Sequence, residues 1–239
     1  MSSGENPFVA GKPVMGGLFA DREEDIRELA EDILSGQNIV LYSPRRFGKT
    51  SLILETLRRL SDKVKYAYVN LYEITGLEEL IISIMRQLYG RLDRIMDIVK
   101  SIAEGILARI IGSEIRIFGD EREVRDLLTR FLDYLNRTAR RKKIVVVLDE
   151  FQEITSIDEE VPRVLKSAIE KSKNIVYVFS GSLKSLLSLF SDPSSSLYKV
   201  GKIKFLDKPA KSVMVDFIII SSGNLSSTNL INWKHIIIS

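Results

Sequence analysis

Cysteine is missing from all 239 residues, which rules out disulfides, thiolate metal sites and a cysteine nucleophile and argues against redox chemistry. No uninterrupted apolar run exceeds about five residues, against the roughly 20 that a membrane-spanning helix needs. The N-terminus also lacks the basic and apolar pattern of a secretory leader, so the expected location is the cytoplasm, with no membrane partner. The excess of positive over negative charge is small too. A net +3 is too small to argue for nucleic-acid binding, which concentrates a basic face. The single histidine, His235, and the single tryptophan, Trp233, stand near the C-terminus without recognisable partners and receive no chemistry. What is present, 45% hydrophobic and 28% charged residues, is enough for one substantial core or a core with a small appendage.

Against that background one string stands out, Ser43-Pro44-Arg45-Arg46-Phe47-Gly48-Lys49-Thr50-Ser51. It follows the apolar run Ile39-Val40-Leu41-Tyr42 and opens into a helical pattern through Leu52, Ile53, Leu54, Leu57 and Leu60. Strand, loop and helix in that order make a phosphate cradle. Backbone N–H groups and a helix N-terminus face the phosphate oxygens, Lys49 reaches the β and γ phosphates, and the Thr50 hydroxyl can ligate Mg²⁺. The match to G-x-x-x-x-G-K-[ST] has a defect, because Ser43 stands where glycine is expected and Pro44 removes a donor.

About a hundred residues on, Ile144-Val145-Val146-Val147-Leu148 ends in Asp149-Glu150. Five consecutive apolar residues, mostly β-branched, read as a strand buried on both faces, hence inside a parallel sheet, delivering two acids to its C-terminal edge. Ligands bind at that edge. Neighbouring residues at a strand end point different ways, so only one acid can face the metal. Asp149 is assigned to Mg²⁺ through water, and Glu150 to polarising the water that attacks the γ-phosphate. The plainer alternative, two acids capping a turn, would be preferred for an isolated pair; the phosphate loop upstream reverses that preference.

Together SPRRFGKTSL, VVVLDEFQEI and VYVFSGSLKSLL resemble the archaeal P-loop ATPases of the AAA-related STAND group, over roughly Asn6 to Leu206. The resemblance implies an α/β P-loop NTPase: a doubly wound, mainly parallel five-stranded sheet of order 5-1-4-3-2 flanked by helices. It also implies ATP rather than GTP, and no Asn-Lys-x-Asp guanine-reading motif occurs in the chain. The segment Gly17-Leu18-Phe19-Ala20-Asp21-Arg22-Glu23 is similar to the family's F-x-x-R-E motif near the adenine, which adds Phe19 and Arg22 to the candidate nucleotide contacts. A polar residue at the end of the fourth strand senses the γ-phosphate in that family. Ser180 ranks before Ser182 for this role, with a plain turn and an N-cap at Ser182 as the even alternative. The paired Arg45 and Arg46 are expected near the nucleotide, without a defined catalytic role.

Elsewhere the chain alternates helices and strands. Helices are expected over Asp21–Leu34, ending at Gly36, over Glu78 to about Ile111 with a break near Gly90 or Gly105, over Glu121–Arg141 and over Glu160–Ser172. Strands are expected at Lys65–Leu71, Glu114–Phe118, Asn174–Phe179 and Gly201–Leu206. The basic run Arg137–Lys143 reads as cations complementing a helix C-terminus before it reads as a nucleic-acid patch. Gln152 either orients water or relays nucleotide state.

Residues 1–13 form an expected N-terminal arm, 14–210 the ATPase domain and 211–239 an aberrant tail. From Phe217 onward the chain is rich in Ile, Ser and Asn with Lys234 as its one charge. The resembling proteins continue into a helical lid and a winged helix, so the tail is expected to mark a truncated or frame-interrupted copy with weakened turnover. The leading expectation is a Mg²⁺-dependent ATPase coupling nucleotide state to an unknown protein or DNA partner, of undetermined oligomeric state. A nucleotide-binding switch without turnover is the alternative, and a small-molecule kinase is disfavoured for want of an acceptor motif.

Overall fold

A computed structural model describes residues 22–103, 107–139 and 142–208 of the chain. Phe19, the expected arm, the expected tail, the Asp21 cap and Gly105 lie outside the described residues. Among these residues seven strands, β1 (Ile39–Ser43), β2 (Val64–Asn70), β3 (Leu107–Ile111), β4 (Glu114–Phe118), β5 (Lys143–Asp149), β6 (Ile175–Ser182) and β7 (Lys202–Phe205), divide into two sheets. The larger runs β2-β5-β6-β1-β7, and every pairing in it is parallel. Counting only its own strands in chain order and reading from β7, this is the order 5-1-4-3-2.

The reason lies in strand periodicity. Alternate residues of a strand face opposite sides, and here the two sides bury separate cores. Val40, Ala67, Val69, Val146, Leu148, Tyr177 and Phe179 join the core beneath α3 (Leu77–Tyr89), α4 (Leu92–Ile102), α5 (Glu121–Thr138) and α7 (Val161–Lys171). Ile39, Leu41, Val64, Val145, Val147, Val176 and Val178 join the core beneath α1 (Glu23–Ser35) and α2 (Lys49–Arg59). Strands β5 and β6 are therefore apolar on both faces, as a helix-covered parallel sheet requires. A short helix α6 (Ile154–Ile157) follows β5, and α8 (Leu183–Ser191) follows β6.

Helix ends follow local chemistry. α1 stops at Gly36, left-handed at φ 90, whose N–H reaches back to the carbonyls of the last turn. α5 starts with a capping box between Asp120 and Glu123, worth about 1 kcal/mol. The expected long helix ending near Ile111 is corrected. It breaks at Gly90 into α3 and α4, and Leu107–Ile111 is a strand, paired antiparallel with Glu114–Phe118 across Gly112-Ser113. Ile110, Ile111 and Ile117 share an apolar composition with a helical stripe, and the left-handed Gly112 at φ 62 is the feature that turns the chain back. The helix expected to reach Arg141 ends at Thr138. The fourth strand of the large sheet also runs three residues further than expected, because its ladder with β1 continues to the pair Ser43 and Ser182.

Candidate functional site

Four of the buried polar residues gather at the C-terminal edge of the large sheet. Ser43, Lys49, Asp149 and Ser180 are all buried there. Parity explains how they meet. Asp149 continues the face of Val145 and Val147, Ser180 that of Val176 and Val178, and Tyr68 that of Val64, so all three side chains emerge on the side covered by α2. Thr50, in the first turn of α2, completes the set. Its Oγ1 donates to Asp149 Oδ2 at 2.8 Å, and the Tyr68 hydroxyl donates to the same oxygen at 2.6 Å. Ser180 Oγ donates to Asp149 Oδ1, which also accepts from the Glu150 N–H at 3.0 Å. Burial, then the neighbouring Asp149 charge, pushes the Tyr68 phenol far above its usual value, so it stays a proton donor.

The loop between β1 and α2 turns through two left-handed residues, Arg46 at φ 68 and Gly48 at φ 85. Ser43 is not one of them. It is the last residue of β1, and its hydroxyl donates to the Pro44 carbonyl, so serine replaces the expected glycine without backbone strain. Space is open around Gly48, where a Cβ would meet nothing within 4 Å. Lys49 is 7% exposed, and its only hydrogen-bond partners among the described residues are the Ser43 carbonyl at 3.3 Å and hydroxyl at 3.4 Å. Burial holds this ammonium below its usual range, against the opposing pull of Glu150 and Asp149. Pro44 and Phe47 are half-buried, Ser51 is buried, and Arg45 and Arg46 are exposed.

Glu150 departs from the strand in a left-handed conformation, φ 52, and its Oε2 accepts from Gln152 Nε2 at 2.6 Å. The other end of that amide, Gln152 Oε1, is buried without a partner against Gly181, where a Cβ would approach to 2.3 Å. Arg22 is engaged with the backbone: its guanidinium donates to the Phe47 carbonyl at 3.0 Å, to the Asp207 carbonyl at 2.8 Å and to Asp25 Oδ2 at 2.9 Å. It thereby ties α1 to the loop and to the end of β7. Ser182 occupies the N-cap position of α8 but makes no side-chain cap.

Lys49, Thr50, Asp149, Glu150 and Ser180 thus sit together, and Arg45 and Arg46 stand at the rim. Tyr68 was invisible to motif reading. A tyrosine on a strand predicts burial, and only the β2–β5 register, with Asn70 opposite Asp149, aims its hydroxyl at that acid. The oxygen donors Thr50 and Asp149 suit a small hard cation such as Mg²⁺, and the open left-handed loop beside an under-paired buried ammonium suits phosphate.

The sequence profile of an ATPase domain predominantly from Archaea matches residues 19–219. Among curated proteins, an uncharacterized ATP-binding protein of Pyrococcus horikoshii is 47% identical over 55 residues, 22% of this chain and 17% of that protein. Among solved structures, a Walker-type ATPase of Pyrococcus abyssi gives a TM-score of 0.61 at 18% identity, covering 94% of this chain and 65% of that one. Cdc6p of Pyrobaculum aerophilum gives 0.56 at 16% identity, covering 91% and 52%. The Orc1 protein of Aeropyrum pernix, solved in complex with DNA, gives 0.56 at 18%, covering 87% and 50%. At these identities the structural matches carry the fold. The chain spans 17% of the curated relative and 50% to 65% of these structures.

Proposed function

The chain belongs to the ATPase domain family found predominantly in Archaea, and on that premise we propose that it binds ATP with Mg²⁺ at the C-terminal edge of its large sheet and hydrolyses it to ADP and phosphate. Within the family we assign it to the AAA-related STAND group on its three motif strings. The nucleotide-binding unit is residues 14–210. The observation that carries the reading is the buried Lys49 ammonium, without a carboxylate within ion-pair reach among the described residues, beside the Thr50 to Asp149 hydrogen bond.

Lys49 and the N–H groups of Pro44 to Gly48, Pro44 itself excepted, would hold the β and γ phosphates, aided by the N-terminal end of α2. Thr50 and Asp149 would hold Mg²⁺, whose chemistry when bound is to neutralise charge on the phosphate oxygens. Glu150 would accept a proton from the attacking water, and Ser180 would register the γ-phosphate through its bond to Asp149. Arg22 remains a candidate nucleotide contact, and its guanidinium also holds the Phe47 carbonyl of the loop. Arg45, Arg46 and Ser51 complete the candidate nucleotide contacts, with Phe19 outside the described residues. A DNA partner is proposed by analogy with the Orc1 structure, which was solved with DNA, and a protein partner is the alternative. The proposed compartment is the cytoplasm; no helix among the described residues is long and apolar enough to cross a membrane.

A second reading has one observation in its favour. Gln152 occupies Glu150 Oε2, so a nucleotide-binding switch that does not turn over would leave this bond intact. The test is ATP calorimetry and turnover on the wild type, Lys49→Ala and Glu150→Gln. The ATPase reading expects Lys49→Ala to lose binding, and Glu150→Gln to keep binding while turnover falls about 10²- to 10⁴-fold. Binding without turnover in the wild type selects the switch. Unchanged binding in Lys49→Ala overturns the site.

A further inference from the structure

Strand β2 is an edge of the large sheet, and at Tyr68 that edge is closed by a side chain. Gln87 of α3 accepts from the Tyr68 N–H at 2.7 Å and donates its own amide to the Tyr68 carbonyl. One carboxamide thus takes the place of the next strand, fixing the backbone from which the phenol projects. At the other end of the residue, the hydroxyl meets Asp149 Oδ2.

A carboxylate offers about four lone-pair positions. Here Oδ2 accepts from Thr50 and Tyr68, and Oδ1 from Ser180 and the Glu150 N–H, so each oxygen already has two donors. Such a carboxylate is fixed in rotation as well as position. A cation could touch it directly only by displacing a donor. Thr50 and Ser180 each belong to an element already assigned to the nucleotide, whereas Tyr68 comes from the far edge strand and has no other assigned task. We infer that Tyr68 is a positioning residue for the cation that accompanies the nucleotide, its hydroxyl locking the orientation of Asp149 toward Thr50. This inference rests on the ATP and Mg²⁺ reading above. Partners that orient a metal-holding group commonly change metal affinity by about 10- to 100-fold when removed.

The test is calorimetry of ATP binding to the full chain in Mg²⁺ and in EDTA. Tyr68→Phe keeps the ring and removes the hydroxyl. It is expected to reduce the affinity gained from Mg²⁺ by about tenfold while leaving the EDTA affinity within about twofold. Tyr66→Phe, on the same strand face two residues earlier, is expected to match the wild type in both media. Gln87→Met, which frees the strand edge without touching the ring, should lose affinity in Mg²⁺ only, and by less than Tyr68→Phe, by loosening the same partner. Tyr68→Phe that equals the wild type in both media, or that loses affinity equally in both, overturns the inference. Wild type that binds ATP equally well in both media overturns the Mg²⁺ reading on which it stands, with loss of both affinities in Lys49→Ala showing that the site itself is active. Wild type that binds in neither medium while unfolding cooperatively on heating overturns the ATP reading.

Discussion

The two ends of the large sheet handle charge in opposite ways. At the N-terminal end of the strands each charged group in the contacts described here is matched. Lys143 Nζ, at the start of β5, donates to the Leu34 carbonyl at 2.6 Å and the Ile33 carbonyl at 3.3 Å, supplying the cation that the last turn of α1 lacks. Lys142 donates to the Ser61 carbonyl at 2.9 Å. Lys202 and Lys204 of β7 bind Asp32 of α1 at 2.9 and 3.1 Å. At the C-terminal end, a buried ammonium has only two long contacts, Gln152 Oε1 has no partner, and Arg46 and Glu150 both hold left-handed backbone. Carbonyl and carboxylate partners at one end fasten helices to the sheet, where Lys199 is left-handed at φ 57 and the buried Tyr177 hydroxyl has no partner among the described residues. What sets the other end apart is a buried cation without a carboxylate partner beside two left-handed residues of adjoining loops, unmet capacity that a site keeps for a ligand.

Four measurements can break or sharpen this contrast. The largest effect is expected at Asp149. Replacing it by Ala strands the Ser180, Tyr68 and Thr50 hydroxyls in or beside the interior and should lower unfolding free energy in urea by on the order of 3 kcal/mol. Asp32→Ala frees lysines that can turn to water and should cost about 1 kcal/mol or less; equal losses would erase the distinction. Next, Lys49→Met removes an ammonium that burial disfavours, so the nucleotide-free protein should melt a few degrees higher, about 2–4 °C for each kcal/mol recovered. A lower midpoint would mean that Lys49 stabilises the empty fold. Lys143→Met should instead lower stability by about 1 kcal/mol, because the last carbonyls of α1 lose their donor. The smallest effect is in acid. Burial raises the Asp32 carboxyl, but the hydrogen bonds from Lys202 and Lys204 outweigh it and leave the folded value below the usual 3.8. Its contribution is therefore complete above about pH 4 and fades as the pH falls through the lowered value. The stability gap between wild type and Asp32→Asn, about 0.5–1 kcal/mol at neutral pH, should narrow below pH 4. A gap that persists at pH 2 would contradict the pairing.

The basic run Arg137–Lys143 shows how far patterning reaches. Arg137 stands in the last turn of α5, as a cation complementing that helix end should, whereas the described lysines serve other elements: Lys143 the end of α1 and Lys142 the carbonyl of Ser61 beyond α2. The stretch Leu107–Ile111 shows where patterning misleads. Its apolar residues fit a helix as well as a strand, and the hairpin across Gly112 decides between them.

The sequence by itself determined the five strands of the large sheet, the loop string with its lysine and threonine, and the acidic strand end, because each is encoded in adjacent residues whose periodicity and turn chemistry are local. Parity along β5 ties Asp149 to the face of Val145 and Val147, but a strand apolar on both faces leaves it to the tertiary structure which helices cover that face. Tertiary structure alone decided which partners that acid meets. Thr50 lies 99 residues from Asp149 in the chain, Tyr68 81 and Ser180 31. Strand order and register set those distances in space. Register in turn depends on helix packing against both faces of the sheet, a collective property that no short window of residues contains.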